Sequence, residues 1–273
     1  MRIGRATGVM LGCLVAGALT APAAGAAIQT ASESVTVNSG GTRSVEATCG
    51  TGTVPVSAGF ASSSFTFLNG GLVPVGSLLL ADGSRATGTN VGGQPRTLTD
   101  YAYCDTNQRT VVDRSSQVPL PAGGTATVSV SCPSGSVPIS GGYQFANGSS
   151  GSGSAVLSRR VRGGWEVTGY NGGPGSSTLT AFVYCQRNGA PLEGESSKQT
   201  FQSFSTGSAE TPCPAGTRIV SGGFNGHLKV ESTLRVALPF ASRRAQNAWR
   251  VTAASFNSPT AVLTTFAYCE PSS

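Results

Sequence analysis

Two short stretches that combine arginine with tryptophan are the residues of this sequence best suited to binding chemistry. Ser158–Arg160 precedes Trp165, and Ser242–Arg244 precedes Trp249 with the same spacing. An arginine beside an indole makes a cation–π contact, and an exposed pair offers a flat apolar surface with flanking donors, which suits a sugar ring or an anionic polymer. We therefore predict a ligand-binding surface formed by Arg160, Arg162, Trp165, Arg244 and Trp249.

The turns before these tryptophans decide which side chains share a face. Two-residue hairpin turns are predicted at Asp82-Gly83, Gly163-Gly164 and Asn247-Ala248. This register places Arg162 across from Trp165 and Gln246 across from Trp249, so that polar and indole side chains share one face. The alternative is that both tryptophans fill the core and the arginine stems lie over the sheet. Because Ser84 stands in the tryptophan position of the first copy, no more than two such surfaces are expected.

Hydrolytic chemistry has little support in the sequence. A Ser-His-Asp set would have to use His227, which is the single histidine of the chain. The G-x-S-x-G pattern is absent, and the acidic residues are scattered without recurring at equivalent places. We predict that the protein is not an enzyme and has no catalytic residues, and a hydrolase that uses His227 is the third functional hypothesis.

The first residues have the features of a secretory signal peptide. Arg2 and Arg5 precede an apolar run at Val9–Leu19, and the small residues Ala24–Ala26 predict cleavage before Ala27. The apolar run is too short to span a bilayer as a mature helix. A lipoprotein signal that ends at Cys13 is the alternative. We therefore predict a secreted or cell-surface protein, with residues 1–26 removed and no transmembrane segment in the mature chain.

The cysteines predict disulfides rather than a metal site. Removal of the signal peptide leaves six cysteines, an even number in an exported chain. Since zinc ligands come in close pairs and no C-x-x-C occurs, we predict no metal and no cofactor. One opening and one closing cysteine per repeat give the within-repeat bridges Cys49 to Cys104, Cys132 to Cys185, and Cys213 to Cys269.

Three internal repeats organise the chain. The unit that opens at Cys132 and closes with Leu179–Cys185 occurs once before and once after itself, in the same register. Each opening leads to Ser-[Ala/Gly]-Gly-[Phe/Tyr], where the paired glycines predict a bulge or a close approach of another backbone. The predicted units are residues 27–108, 109–189 and 190–273. The loops that differ between copies are Ser62–Val75, Asn147–Ser154 and Asn225–Leu228.

The fold class predicted from these repeats is all-β. Alternating β-branched and polar residues around Gly-rich turns predict short strands, and no segment shows a sustained helical period. A unit of this size has a marginal core, so either its disulfide staples it or the three copies pack around a pseudo-threefold axis. We predict antiparallel sheets that form one pseudo-threefold β-prism-like body or linked sandwiches.

Composition excludes some functions and leaves others open. Only 11% of the residues are charged, against about 25% in typical globular proteins. The net charge of +6 becomes +4 without Arg2 and Arg5, and basic clusters on a nucleic-acid-binding motif are absent, so we predict no nucleic-acid partner.

The repeat motif resembles a module seen in secreted proteins of actinobacteria. The shared pattern is C-P-x-G-x-x-x-[VI]-S-G-G-[FY], then W-x-V-T and L-T-x-[FY]-x-Y-C. More distantly, the run Gly223–Glu231 and the three cysteine-closed units are similar to vitelline membrane outer layer protein I. That resemblance implies a β-prism of three Greek-key sheets and an extracellular structural or carbohydrate-related role.

The function predicted from the sequence is therefore non-enzymatic. The first hypothesis is a secreted binding or structural protein that binds an extracellular glycan at the cell surface. The second is a module that binds or inhibits a protein partner through the variable loops.

Overall fold

The structure is a computed structural model that describes residues 27–63, 65–66, 70–107, 109–146, 153–227, 229–230, 234–256 and 260–272. The predicted signal peptide, including Cys13, lies outside these residues, as do parts of all three predicted variable loops. The regular structure of the described residues is entirely β-strand, which confirms the all-β prediction. No helix in these ranges has the length and apolar character needed to cross a bilayer.

The strands follow the repeats. In the first repeat they are β1 (Ile28–Val37), β2 (Thr42–Thr48), β3 (Val54–Ser62), β4 (Phe65–Thr66), β5 (Gly70–Leu79), β6 (Gly83–Asn90) and β7 (Arg96–Asp105). In the second they are β8 (Val111–Leu120), β9 (Thr125–Ser131), β10 (Ser136–Ala146), β11 (Gly153–Val161), β12 (Gly164–Asn171) and β13 (Ser177–Arg187). In the third they are β14 (Glu193–Gln202), β15 (Thr206–Pro212), β16 (Thr217–Asn225), β17 (Lys229–Val230), β18 (Leu234–Ala245), β19 (Ala248–Phe256) and β20 (Thr260–Pro271).

Each repeat contributes three strands to each of two sheets. The first repeat supplies β1-β7-β3 to one sheet and β2-β6-β5 to another. The second supplies β8-β13-β10 and β9-β12-β11, and the third supplies β14-β20-β16 and β15-β19-β18. All of these pairs are antiparallel. These six strands of a repeat thus form two halves of a sandwich, and the two-residue strands β4 and β17 pair with β5 and β18 beside them.

The three sheets are shared between neighbouring repeats. Short antiparallel contacts join β3 to β18, β5 to β10, and β11 to β16. Because each sheet takes half of its strands from one repeat and half from the next, the three repeats close into one body with internal threefold repetition. The prediction of a three-repeat, β-prism-like fold is confirmed.

A ring of serine hydroxyls surrounds the pseudo-threefold axis. Each serine of the Ser-[Ala/Gly]-Gly motif follows a bulge in β3, β10 or β16. Its hydroxyl donates to the carbonyl of the bulged residue in another repeat: Ser57 to Val220 at 2.6 Å, Ser140 to Val56 at 2.6 Å, and Ser221 to Ile139. The bulge therefore lies just before the glycines, and it turns a backbone carbonyl toward the neighbouring repeat.

The three predicted disulfides are present. Cys49 is bonded to Cys104, Cys132 to Cys185, and Cys213 to Cys269. In each repeat the opening cysteine follows the second strand and the closing cysteine lies on the last long strand, so the bond joins the two sheets of one sandwich.

The hairpin turns lie one residue earlier than predicted. In the second repeat Val161 pairs with Gly164, so that the turn residues are Arg162 and Gly163, and the φ angle of Gly163 is 72°. Gly164 instead belongs to β12, where an added Cβ would lie 2.1 Å from the carbonyl oxygen of Val130 on β9. The sequence offers two glycines for the turn, and the close approach of β9 requires the second one in the strand.

The shifted register changes the partners of both tryptophans. Arg160, rather than Arg162, lies across from Trp165. In the third repeat the turn is Gln246-Asn247, and Arg244 lies across from Trp249. The predicted turn is therefore wrong by one residue and the predicted strand partner by two, although arginine and tryptophan do occupy paired positions.

Candidate anion-binding cleft in the second repeat

Trp165 belongs to the core and not to a ligand-binding surface. Only 1% of its surface is exposed, and its indole Nε1 donates a hydrogen bond of 2.9 Å to the Ser158 hydroxyl. The indole lies against Gly141, where an added Cβ would be 2.2 Å away, and it makes an edge contact with the Tyr268 ring at 5.5 Å. The prediction that this indole offers a sugar platform is wrong, since the glycine of the Gly-Gly motif makes room for it inside the sandwich.

Trp249 repeats this arrangement in the third repeat. It is 2% exposed, its Nε1 donates to the Ser242 hydroxyl at 2.9 Å, and it lies against Gly222. Its edge contact is with Tyr103 of the first repeat, with ring centroids 5.6 Å apart. The serine that precedes each Arg-Arg pair is therefore the partner of the indole, and the predicted site loses both tryptophans.

Arg160 lies over an aromatic ring of the neighbouring repeat. Its guanidinium carbon is 4.6 Å from the ring centroid of Tyr268, and its backbone N–H donates to the Tyr268 hydroxyl at 2.8 Å. Burial raises the pKa of Tyr268 to about 12, so the arginine lies on a neutral phenol. Burial lowers the pKa of Arg160, an effect that the tyrosine opposes, but an arginine remains protonated at neutral pH. The half-buried guanidinium is therefore a positioned cation.

A cleft of about 480 Å³ opens beside this arginine. It lies between the β11–β12 turn, the beginning of β10 and the link that precedes β14. Arg160 and the exposed Arg162 line it together, and Ser136 supplies a hydroxyl. The remaining walls are largely apolar and are formed by Val137, Pro138, Val161, Pro191 and Leu192.

The two arginines of the cleft have no acidic partner among the described residues, which they share with several other arginines of the protein, Arg43, Arg114, Arg187, Arg243 and Arg244. Three other arginines are paired with carboxylates at the surface: Arg85 with Glu46, Arg159 with Glu166, and Arg250 with Glu210. In the described ranges no carboxylate forms an ion pair with Arg160 or Arg162, and no acidic residue lines the cleft. The arrangement provides charge-assisted donors for an external anion.

Arg244 occupies the equivalent place in the third repeat, but two of its guanidinium donors bond backbone carbonyls. Its Nη1 donates to the Ile28 carbonyl at 2.8 Å, and its Nε donates to the Gln246 carbonyl at 2.8 Å. Its backbone N–H donates to the Tyr103 hydroxyl at 2.7 Å, as that of Arg160 does to Tyr268. Of the five predicted site residues, Arg160 and Arg162 are therefore the two that line this cleft.

His227 does not belong to a catalytic set in the described residues. Its ring Nε2 lies 2.7 Å from the Thr264 hydroxyl oxygen, and no described carboxylate bonds to the ring. Burial lowers the pKa of His227, and the positive charges of Lys198 and Arg159 act in the same direction. The third hypothesis, a hydrolase that uses His227, gains no structural partner here and stays a hypothesis.

A charged cluster that the sequence analysis missed joins the three repeats. Arg109 pairs with Asp105 and Glu270, and Arg218 pairs with the same two carboxylates, at 2.7 Å for Glu270. Arg109 also donates to the Gln186 side chain at 3.0 Å. Burial acts to lower the pKa of Arg109, but the hydrogen bonds and charges of Glu270 and Asp105 outweigh it and raise the pKa.

The sequence contains one sign of this cluster. A polar or acidic residue follows each closing cysteine, namely Asp105, Gln186 and Glu270, and this recurrence could have identified the cluster. The two arginines neutralise the two carboxylates, so the cluster has no net charge left for a ligand. No group of three acidic, histidine or cysteine side chains in the described ranges is placed to hold a metal ion.

Asp100 is the other carboxylate that the sequence did not single out. It is fully buried in the first repeat, where its Oδ2 accepts from the Ala47 N–H at 2.9 Å and from the Ser84 hydroxyl at 2.8 Å. Its Oδ1 has no hydrogen-bond partner among the described atoms. Burial is the largest influence on this group and raises its pKa to about 6, against the opposing hydrogen bonds from Ser84 and Ala47. The group is enclosed and does not reach a cleft.

No protein-family model matches the chain, and no curated protein is similar to it. The resemblance to the actinobacterial module and to vitelline membrane outer layer protein I therefore stays a prediction, and no residue role is taken from it.

Proposed function

We propose that the protein is a non-enzymatic binding protein that acts outside the cell and that its ligand carries an acidic group bound by Arg160 and Arg162. The observation that carries this proposal is the half-buried guanidinium of Arg160, which faces a cleft with no acidic lining residue. A hydrogen bond to a charged group contributes about 1.5–3 kcal/mol, and it is strongest where the partners are positioned and partly desolvated.

The extracellular part of the proposal rests on the apolar leader of the sequence and on the disulfides. Three disulfides bond all of the cysteines that remain after the predicted cleavage. Disulfides of this kind persist in oxidising compartments and are rare in the cytosol. They also join the two halves of each sandwich.

The residues that support glycan binding are now the arginines and not the tryptophans. The two indoles that suggested sugar stacking are buried, so a neutral glycan has no exposed indole to bind at this place. The arginines remain, and they select for charge. An acidic glycan is therefore tested as one of several acidic ligands.

Thermal stabilisation by a panel of ligands tests the proposal. The panel pairs acids with neutral counterparts: oligogalacturonate with neutral oligosaccharide, alkyl and aryl carboxylates with their amides, and peptides with free and amidated carboxyl termini. A ligand that binds only the folded protein raises the melting temperature according to its concentration relative to Kd. We expect at least one acid to stabilise the protein and its neutral counterpart to have no effect.

The controls separate the cleft from the overall charge. The variant with Arg160→Gln and Arg162→Gln removes the proposed donors, and we expect it to lose the response. The variant with Arg85→Gln and Arg250→Gln loses the same charge from arginines that are already paired at the surface, and we expect it to keep the response. If both variants lose the response equally, or if no acid stabilises the native protein, the proposal is wrong.

A further inference from the structure

The walls of the cleft restrict the chemistry of its ligand. Besides the two arginines, the polar side chain that lines it is that of Ser136, and the amide and carboxylate side chains that hold sugar hydroxyls are absent from its lining. Burying a hydroxyl without a hydrogen-bond partner is unfavourable. A sugar ring placed against Val137, Val161 and Leu192 would bury several hydroxyls in this way, so the body of the ligand must be apolar.

The charges of the cleft restrict the acidic part of the ligand. Arg160 is held between the Tyr268 ring and Gly194, where an added Cβ would lie 3.2 Å from its Nη2. Arg162 is exposed on the adjacent turn. Two guanidinium groups beside the apolar walls of one cleft match a single anionic group on the ligand, and a carboxylate accepts from the planar fork of an arginine with two oxygens.

In the third repeat, the arginine equivalent to Arg160 binds a backbone carbonyl of the first repeat. Ile28 on β1 pairs with Asp105, the residue after a closing cysteine, and its side chain is 9% exposed. Its carbonyl oxygen accepts from Arg244, so the arginine binds an oxygen at the edge of a buried apolar side chain. Leu192 has the matching place before β14, because Glu193 pairs with Cys269.

In the second repeat the equivalent arginine, Arg160, does not bond the corresponding backbone carbonyl. Arg160 lies over Tyr268, and no hydrogen bond of its guanidinium to Leu192 is found among the described residues. The buried Leu192 side chain and the arginine therefore both line the cleft, and the guanidinium stays available to an acceptor from outside the chain.

We infer that the cleft binds a carboxylate joined to a compact apolar body. The inference rests on the proposed function and narrows its acidic ligand to this class. Two sources have the required chemistry: an aliphatic carboxylic acid, and the free carboxyl terminus of a peptide that ends in an apolar residue. Both would place the carboxylate on Arg160 and Arg162 and the apolar part against Val137, Val161 and Leu192.

Isothermal titration calorimetry of the mature protein with five probes tests this inference. The probes are decanoate, decanamide, acetyl-Ala-Val-Leu with a free carboxyl terminus, the same peptide amidated, and trigalacturonate. We expect decanoate or the peptide acid to bind at least about ten-fold more tightly than its amide and than trigalacturonate, a difference of about 1.4 kcal/mol. The acid that binds more tightly identifies the source.

The variants connect this preference to the cleft. Arg160→Gln should reduce the affinity for the binding acid by about ten-fold or more and leave the weak binding of its amide unchanged. Arg244→Gln, the matched change in the third repeat, should leave both affinities unchanged. If trigalacturonate binds as tightly as the apolar acids in an Arg160-dependent manner, this inference is overturned and the proposed function stands. If no anion shows an Arg160-dependent affinity, both are overturned.

Discussion

The first repeat and the two later repeats fill their interiors differently. The second and third place Trp165 and Trp249 against Gly141 and Gly222. The first has Ser84 in the tryptophan position, and where the glycine would be it has Ala58. A large side chain therefore lies on a glycine in the second and third repeats, whereas both positions hold small residues in the first repeat.

The smaller pair of the first repeat is accompanied by a buried charge. Asp100 stands where the later repeats have Ala181 and Thr265, and it accepts a hydrogen bond from Ser84. A polar cluster therefore takes the place of an indole that lies on glycine. The three copies share one backbone plan but differ in what holds the sandwich together, apolar packing in two and a hydrogen-bonded carboxylate in one.

The clefts at the repeat boundaries show a second difference. At the position of Arg160 the first repeat has Leu79, and its cleft includes Asp113. The third repeat has Arg244, whose guanidinium is bonded to backbone carbonyls. Three equivalent places thus contain an apolar residue, an arginine without an acidic partner in the described chain, and an arginine that holds the chain itself. A binding function is expected in one of them.

Removing the buried indole of the second repeat should lower the free energy of unfolding more than the other changes that test this comparison. Trp165→Ala deletes a fully buried side chain together with its hydrogen bond to Ser158, and large-to-small changes of aromatic residues cost about 3–5 kcal/mol. Denaturant unfolding measures the loss. Ser84→Ala, the change at the matching position of the first repeat, should cost less because it removes one hydroxyl. An equal loss in both variants would contradict the difference between the repeats.

The buried carboxylate should give the stability of the protein a distinct pH dependence. The pKa of Asp100 is raised in the folded state, from 3.8 to about 6, so the folded protein binds the proton more tightly than the unfolded chain. Its contribution is then fully present below the unfolded pKa and is lost as the pH rises through the folded pKa. At about 1.36 kcal/mol for each pKa unit, the loss is about 3 kcal/mol.

Unfolding of Asp100→Asn beside the native protein isolates this contribution. Asparagine keeps an oxygen that accepts from Ser84 and Ala47 but does not titrate. We expect the native protein to lose about 3 kcal/mol relative to the variant between roughly pH 4 and pH 7. A difference between the two proteins that does not vary with pH would show that Asp100 has an ordinary pKa.

Adding one methyl group beside an indole should have a smaller effect. In Gly141→Ala the new Cβ meets the Trp165 ring at 2.2 Å, so the indole must move. Overpacking of this kind costs about 1–3 kcal/mol. The reverse change in the first repeat, Ala58→Gly, should cost only about 0.5–1 kcal/mol, the usual cost of a strand glycine. Thermal unfolding of both variants checks the order, and a better tolerance of Gly141→Ala would be evidence against the need for a glycine beneath the indole.

The parts of the fold that recur in the sequence could be predicted from it. Cysteines at matching places in three repeats identify the disulfides, and alternation around Gly-rich turns identifies the strands. The sharing of each sheet by two repeats could not be predicted, because β3, β10 and β16 show the same pattern whichever repeat supplies the neighbouring strand. The predicted turn position was wrong at Gly163 and Gly164, because the close approach of β9 to Gly164 is a tertiary contact that the local sequence does not reveal.

The candidate site shows the same limit. Alternation placed arginine and tryptophan at paired positions, but it does not state whether a face is covered by another repeat. Tyr268 and Tyr103 come from neighbouring repeats, and they decide that the indoles are enclosed. The difference between Arg160 and Arg244 depends on Ile28, which is far away in the sequence. Only the packed repeats reveal which arginine is available.

Nuclear magnetic resonance of the arginine Nε–Hε groups, recorded while decanoate or trigalacturonate is added, tests the role of Arg160 most directly. The native protein is compared with Arg160→Lys and Arg162→Lys to assign the signals. We expect the Arg160 and Arg162 resonances to shift with one of these acids and the Arg244 and Arg250 resonances to stay in place. Shifts spread evenly over the surface arginines, or shifts at Arg244 and none at Arg160, would contradict an anion-binding cleft in the second repeat.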